Sequence, residues 1–337
     1  MQGDSGFRIA LRPKEEGCST AMALVQRKRD HLKICIQEDV ETPTAGFEDV
    51  FLINNSLPEM DLREVDTSTT FLGREISMPL KISAITGGTE ESREINRPLA
   101  AFAESRNIIF ELGSQRAMID KPTLKDTYAV REVAPSGYII GNLGISQLKT
   151  FKIERIRKAM EDIGADAISI HLNAAQEAFQ REGDADFSNL VAQLKNLCNS
   201  LSCPVIAKEV GMGISREVAQ VLKESGVKAI DVGGHGGTNW MVVDAIRSGL
   251  EYDIFADWGI PTSISILESQ VGLPIIATGG LRTGVHMAKS IALGADLCGM
   301  ALPFLKVPAI HMMASITMAT ATIQQNRAAE PGKSLTN

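Results

Sequence analysis

Aromatic side chains are scarce in this chain, 5% of 337 residues, and positive charge is not in excess: 34 lysines and arginines face 41 aspartates and glutamates, a net charge of -7. Few aromatics argue against a stacking platform for single strands, and an acidic balance argues against a nucleic-acid face. No apolar run is long enough to span a bilayer, and residues 1–14 are polar, with none of the apolar core of a secretory signal. The expectation is a cytoplasmic protein with no nucleic-acid and no membrane partner. Cysteine is limited to Cys18, Cys35, Cys198, Cys203 and Cys298, an odd number with no Cys-x-x-Cys. That pattern suits neither a disulfide framework nor a structural zinc site. The five histidines (His31, His171, His235, His286, His311) are too dispersed for a catalytic zinc set. A Gly-x-Gly-x-x-Gly after the first strand and a Gly-Lys-Ser/Thr phosphate loop are also missing, which disfavours a Rossmann domain and P-loop hydrolysis.

What is present is regular. Hydrophobic residues make up 44%, enough for two domains or one large α/β barrel. From Met78 onward, short apolar β-branched runs alternate with helical patterns. The strand-like runs are 79–85, 107–112, 138–140, 166–170, 204–210, 227–232, 273–277 and 296–299; helices fit 93–105, 147–163, 187–200 and 216–224. Most of the strands stop at glycine or polar clusters such as Thr86-Gly87-Gly88 and Thr278-Gly279-Gly280. Gly164-Ala165-Asp166 and Gly294-Ala295-Asp296 repeat one helix-to-strand turn. Eight strands alternating with helices predict an α/β fold, a (β/α)8 TIM barrel with an N-terminal helical and irregular extension. A doubly wound open sheet is the alternative. The expected division is an extension over 1–77, the barrel over 78–327 and a tail over 328–337. Within the extension, a helix through 21–32 capped by Ser19 or Thr20 is expected, with strands at 51–53 and 69–72.

In such a barrel the chemistry sits at the C-terminal ends of the strands. The fourth run ends in His171-Leu172-Asn173-Ala174-Ala175-Gln176-Glu177, where a histidine, two amides and a carboxylate crowd together. Lys208 lies in an otherwise apolar strand, where it must reach the open top, meet an anion, or snorkel; a Schiff base and the neutralising of an anionic cofactor ring are both open. Glu209 beside it faces the other way. Gly279-Gly280 and Gly299-Met300-Ala301, at the seventh and eighth strands, suit the phosphate site of barrels, with Arg282 at hand. Asp231 either holds a ligand or orients a loop. Arg27, Lys28 and His31 share about one helical turn, as an anion clamp or a solvated face. Glu177 suits either Mg2+, which keeps waters and borrows phosphate oxygens, or a general base.

Arg27-Lys28-Arg29-Asp30-His31, Thr86-Gly87-Gly88, Gly113-Ser114-Gln115-Arg116, His171 to Glu177, Lys208-Glu209-Val210-Gly211, Asp231 to Asn239 and Gly279-Gly280 resemble, in order, the type 2, FMN-dependent isopentenyl-diphosphate isomerase family. The resemblance covers about residues 27–305; Met300-Ala301-Leu302-Pro303 fits its last phosphate turn only loosely. It implies FMN, active in its reduced form, with Mg2+ and with NAD(P)H as reductant, in interconversion of isopentenyl and dimethylallyl diphosphate. It further implies a small-molecule allylic or homoallylic diphosphate as partner and a homo-oligomer, tetramer or octamer. By position, Thr86, Gly87, Ser114, Asn142, Lys208 and Thr238 would contact the flavin, and Gly280, Arg282 and Ala301 its phosphate. Glu177 would bind the metal. Arg27, Lys28, His31, Arg116, His171 and Asn173 would surround the diphosphate, with Gln176 beside the alkene; Gln176, Lys208 and His171 are the expected catalytic residues. Two rival readings are an FMN-dependent 2-hydroxy-acid oxidase, with His235 as base and Arg282 for a carboxylate, and a non-catalytic barrel that binds a phosphate ligand.

Overall fold

A computed structural model describes residues 21–306, apart from 43, 58, 60, 181–182, 184–185 and 251–255. The expected capping residues Ser19 and Thr20, the first part of the extension and the 328–337 tail lie outside the described residues. In chain order the strands are β1 (Thr69–Phe71), β2 (Arg74–Ile76), β3 (Leu80–Ile82), β4 (Ile109–Glu111), β5 (Ile139–Gly144), β6 (Ala167–Leu172), β7 (Val205–Glu209), β8 (Ala229–Asp231), β9 (Ile275–Ala277) and β10 (Leu297–Met300). The helices are α1 (Ala21–Gln37), α2 (Glu90–Arg106), α3 (Arg116–Asp120), α4 (Ile153–Ile163), α5 (Ala174–Phe179), α6 (Leu190–Ser200), α7 (Arg216–Glu224), α8 (Trp240–Ser248), α9 (Thr262–Glu268), α10 (Gly284–Ala292) and α11 (Leu302–Lys306).

Strands β3 to β10 pair in parallel and close into a barrel, β10 returning to β3. The expected TIM barrel is the fold. Buried on both faces, each strand is a short apolar run. The repeated Gly-Ala-Asp turn has a local cause. Gly164 ends α4 in the left-handed region, φ 61°, and Asp166 then accepts the Ile139 amide at 2.8 Å. Asp296 repeats this toward the Ile275 amide, also at 2.8 Å. The carboxylate thus satisfies the first amide of the neighbouring strand. Thr89 caps α2 through the Ser92 amide, and Thr283 caps α10 through that of His286.

Side chains alternate along each strand, so the barrel interior fills in layers. The lower layer is apolar: Ile109, Ile140, Ala167, Ile206, Ala229, Ile276 and Leu297 are buried with Phe71 and Ile76 of the β1–β2 hairpin, which plugs the lower end. Two residues further along the same strands the interior turns polar, at Glu111, Asn142, Ser169, Lys208, Asp231 and Thr278, with Lys81 from β3. The polarity therefore changes at mid-barrel, and everything above faces the open end.

Some expected boundaries fail. Residues 51–53 form no strand; Phe51 and Ile53 are more than four-fifths exposed and have no strand beside them. The 147–163 segment divides into a 3-10 turn (Ile145–Lys149) and α4, and the 187–200 helix begins at Leu190. Among the described residues no helix is long and apolar enough to cross a membrane.

Candidate active site

A cavity opens at the C-terminal end of the barrel strands. It brings together, from nine separate places in the chain, Arg27, Lys28, His31, Thr86, Ser114, Arg116, Asn142, His171, Asn173, Gln176, Glu177, Lys208, Thr238, Gly280, Arg282 and Ala301. Of the residues expected to contact flavin, diphosphate or metal, Gly87 alone is not in its lining: it packs on the Tyr128 ring, which leaves no room for a β-carbon.

The floor is the polar layer. Lys81 is fully buried and donates to Glu111 at 2.5 Å and to Asp231 at 2.7 Å. Lys208 donates to the same Asp231 oxygen at 2.9 Å, and Thr278 donates to the other. Two ammonium groups and two carboxylates thus form one compensated set, as burial requires. Burial alone would push both carboxyls up. Lys81 and Lys208 outweigh it and hold Glu111 and Asp231 below the usual range. Lys81 is raised in turn, burial being overcome by the two carboxylates. Lys208 is therefore no snorkelling side chain; it reaches the cavity from within a paired network.

One wall is built by β6 and the turn after it. His171 Nδ1 lies 2.9 Å from Asn142 Oδ1, and Asn142 Nδ2 donates to Glu111 at 2.9 Å. Burial, with Lys28 and Lys208 nearby, lowers His171 to about 3, so the ring is neutral. Strand β6 ends at Leu172, and Asn173 begins α5, donating to Glu177 at 3.0 Å and to Gln176 at 3.4 Å. Gln176 Nε2 donates to Asp244 of α8 at 2.9 Å.

The roof is α1. His31 Nε2 reaches Asp244 at 3.0 Å and packs edge-on to Trp240. Arg247 donates to the same Asp244 oxygen at 3.1 Å. Burial lowers the His31 pKa even against its Asp244 partner; Asp244, though buried, is held low by His31, Gln176 and Arg247. Arg27 donates to Gln180 at 2.8 Å. Lys28 is lowered to about 7 by burial and by Arg27 and Arg116. Arg27, Lys28 and Arg116, the last also 3.8 Å from Asp120, concentrate positive charge in one place and so favour an anion there.

The far side is made of glycine turns. Val40 and Thr42 bond to the loop after β8: Asn239 N donates to Val40 O at 2.8 Å, and Gly236 N to Thr42 Oγ1 at 2.7 Å. Gly236 has φ +121° and lies on Ala45; Gly280 has φ +76° and lies on the Gly236 carbonyl. Only glycine allows backbone to stack this closely. Arg282 lies in the cavity wall beside this turn, and its guanidinium is paired with Glu41.

Outside the cavity lies His235. It is 5% exposed, with Nε2 2.7 Å from Ala256 O and Nδ1 3.3 Å from Thr44 O. Turned to backbone, it offers no base to a ligand, and the oxidase reading loses its central residue. Sequence reasoning passed over Lys81, Glu111, Asp244, Gln180 and Trp240. Lys81 and Glu111 carried the signal that singled out Lys208, a charge inside an apolar strand. Asp244, in a short helix, carried none.

The family model described as FMN-dependent dehydrogenase matches residues 142–326. Proteins named isopentenyl-diphosphate delta-isomerase are similar over most of the chain. That of Methanoregula boonei is 46% identical over 311 residues, 89% of this chain and 86% of its own. That of Methanosarcina barkeri is 48% identical over 83% of this chain and 80% of its own. That of Archaeoglobus fulgidus is 47% identical over 85% and 84%. Among solved structures, an inosine 5' monophosphate dehydrogenase from Legionella pneumophila superposes with TM-score 0.52 at 21% identity, covering 77% of this chain and 69% of its own. A mandelate oxidase Y128F mutant with a monooxide FMN adduct does so with TM-score 0.54 at 17% identity, covering 89% and 86%. At such identities the two structures speak for the barrel alone.

Proposed function

The chain belongs to the isopentenyl-diphosphate delta-isomerase family and to the wider FMN-dependent dehydrogenase family of barrels, and from that premise we propose that it interconverts isopentenyl and dimethylallyl diphosphate with reduced FMN and Mg2+. The observation that carries the reading is the cavity itself. Its roof and the neighbouring α3 hold three crowded cations suited to a diphosphate, and its floor presents Lys208 and Asn142 beside a glycine turn suited to a phosphate monoester.

The residues fit both absent groups. For FMN, Thr86, Ser114, Asn142, Lys208 and Thr238 would face the ring system, and Gly280, Arg282 and Ala301 would flank the phosphate. For that, Arg282 would have to leave or share its Glu41 partner. Glu177 is the metal ligand in this reading. Among the described residues no three His, Cys, Asp or Glu side chains cluster for a metal. A single carboxylate with water and diphosphate oxygens is a coordination that Mg2+ accepts.

The reaction moves a proton onto the terminal alkene carbon and takes one off the allylic carbon. Reduced FMN supplies the proton-transferring group when bound. The chain does the rest. Arg27, Lys28, His31, Arg116, His171 and Asn173 fix the diphosphate and so hold the alkene in one orientation. Lys208, held at Asp231, favours negative charge on the cofactor ring. Gln176, its Nε2 tied to Asp244, would lie beside the alkene. An amide is a poor acid, so Gln176 orients or relays a proton rather than providing it. NAD(P)H is the proposed reductant, a tetramer or octamer the proposed assembly and the cytoplasm the proposed location.

The test is anaerobic turnover of isopentenyl diphosphate in heavy water with FMN, Mg2+ and a reductant. Deuterated dimethylallyl diphosphate that requires both flavin and reductant is expected. Bound flavin reduced by a hydroxy acid, with no dimethylallyl product, would move the assignment to the oxidase. A purified protein without flavin or diphosphate affinity would leave a ligand-binding barrel.

A further inference from the structure

The line Glu111, Asn142, His171 has a direction, and its buried end sets it. Glu111 sits at 1% exposure against Lys81 and beneath Lys208. As a carboxylate it only accepts hydrogen bonds. The Asn142 group 2.9 Å from it must therefore be the amide NH2. That turns Asn142 Oδ1 toward His171 Nδ1, 2.9 Å away. A carbonyl oxygen also only accepts, so the ring proton lies on Nδ1. His171 faces Lys28, Lys208 and Arg27, all of which oppose a second proton, and Glu111, which favours one; burial and the cations prevail. The remaining nitrogen, Nε2, carries the lone pair; it lies beside Gly144, and His171 and Gln147 both line the cavity.

We infer that Glu111 is a positioning residue that sets the tautomer of His171, so that the imidazole meets the ligand as a hydrogen-bond acceptor at Nε2 and takes there an O–H. A fully deprotonated diphosphate cannot supply one. A protonated phosphate oxygen or a water carried by the metal can. This refines the place given to His171 in the diphosphate shell, and it rests on that reading only for the identity of the O–H donor.

The tautomer is read directly by long-range proton–nitrogen NMR on full-length protein labelled with [15N]histidine, His171 being assigned by its loss in His171→Asn. Near neutral pH the expected wild-type pattern is a protonated Nδ1 and a bare Nε2. Glu111→Gln should reverse it. The Lys81 ammonium only donates, so glutamine must turn its oxygen to Lys81 and its NH2 to Asn142. Asn142 then flips, its NH2 donates to His171 Nδ1, and the proton moves to Nε2. A folded Glu111→Gln with Nδ1 still protonated overturns the inference. If that variant does not fold, Asn142→Leu tests the same link, and the same unchanged pattern in it is equally fatal.

Inorganic pyrophosphate tests the acceptor role. A shift of the Nε2 resonance with pyrophosphate alone marks a protonated phosphate oxygen as donor; a shift that needs Mg2+ marks metal-bound water. Pyrophosphate that binds by calorimetry while both nitrogens become protonated, or while Nε2 does not move, overturns the role. Pyrophosphate that does not bind at all counts against the diphosphate reading and leaves the tautomer result standing.

Discussion

Replacing Lys81 with methionine removes one of two buried cations from a set of four buried charges. Methionine keeps the length and apolar volume of the stem, so packing is largely preserved. The loss is electrostatic. Glu111 keeps the Asn142 amide and a long contact from Ala84 N at 3.4 Å, and Asp231 keeps Lys208 and Thr278. One carboxylate is left without a compensating charge at the centre of the barrel. Removing one member of a buried ion pair costs about 3–5 kcal/mol, which for a domain of this size is a fall of roughly 5–8 °C in Tm. Urea unfolding followed by circular dichroism measures it. The pH dependence separates charge from packing. Without Lys81 the folded-state pKa of Glu111 rises above its unfolded value. The carboxyl is then neutral at low pH and costs progressively more as pH climbs toward that pKa. The deficit of Lys81→Met should therefore be smaller at pH 5 than at pH 8. Adding Glu111→Leu should recover much of the loss. A deficit under about 1 kcal/mol that does not change with pH would refute the argument, because it would mean that the four charges are not desolvated as a set.

Gln176→Ala is expected to lower kcat by roughly 100-fold or more with little change in KM; full turnover in steady-state assays would remove Gln176 from the proton path. Lys28 is charged below about pH 7 and neutral above it, so pyrophosphate affinity by calorimetry should weaken above pH 7 by up to about tenfold per unit. Lys28→Arg, always charged, should flatten that slope, and parallel curves for the two proteins would contradict it. Gly280→Ala places a β-carbon at φ +76° against the Gly236 carbonyl and Ala45. The strain of about 1–2 kcal/mol should weaken FMN binding roughly 5–30-fold in a fluorescence titration, and unchanged affinity would separate this turn from the cofactor phosphate.

The barrel was legible because a parallel strand buried on both faces is a short apolar run with a glycine stop, and eight such runs survive even where their ends are misplaced. The site was legible where polar residues cluster in sequence, as from His171 to Glu177. The ion network was not. Its Lys81–Glu111 and Lys81–Asp231 bonds join residues 30 and 150 positions apart, and no local pattern records which buried charges will meet. Lys208 was noticed as a charge in an apolar strand; Lys81 and Glu111 met the same test and were passed over. The 51–53 strand failed for the opposite reason, since β-propensity means little without a neighbour to pair with. Arg282 was placed at the right turn, but its Glu41 partner comes from a segment with no periodicity of its own.

The bond between His31 and Asp244 spans 213 residues. Helix α1 is made before any barrel strand, yet its anchors on α8 belong to the last third of the chain. During synthesis it must wait until most of the barrel has left the ribosome. The cationic roof is thus the first part of the active site to exist and among the last to be assembled. Until it docks, the cavity lacks Arg27, Lys28 and His31 and has only Arg116, His171 and Asn173 of the proposed diphosphate shell. In the proposed reading, full competence for substrate thus waits until α8 has been made.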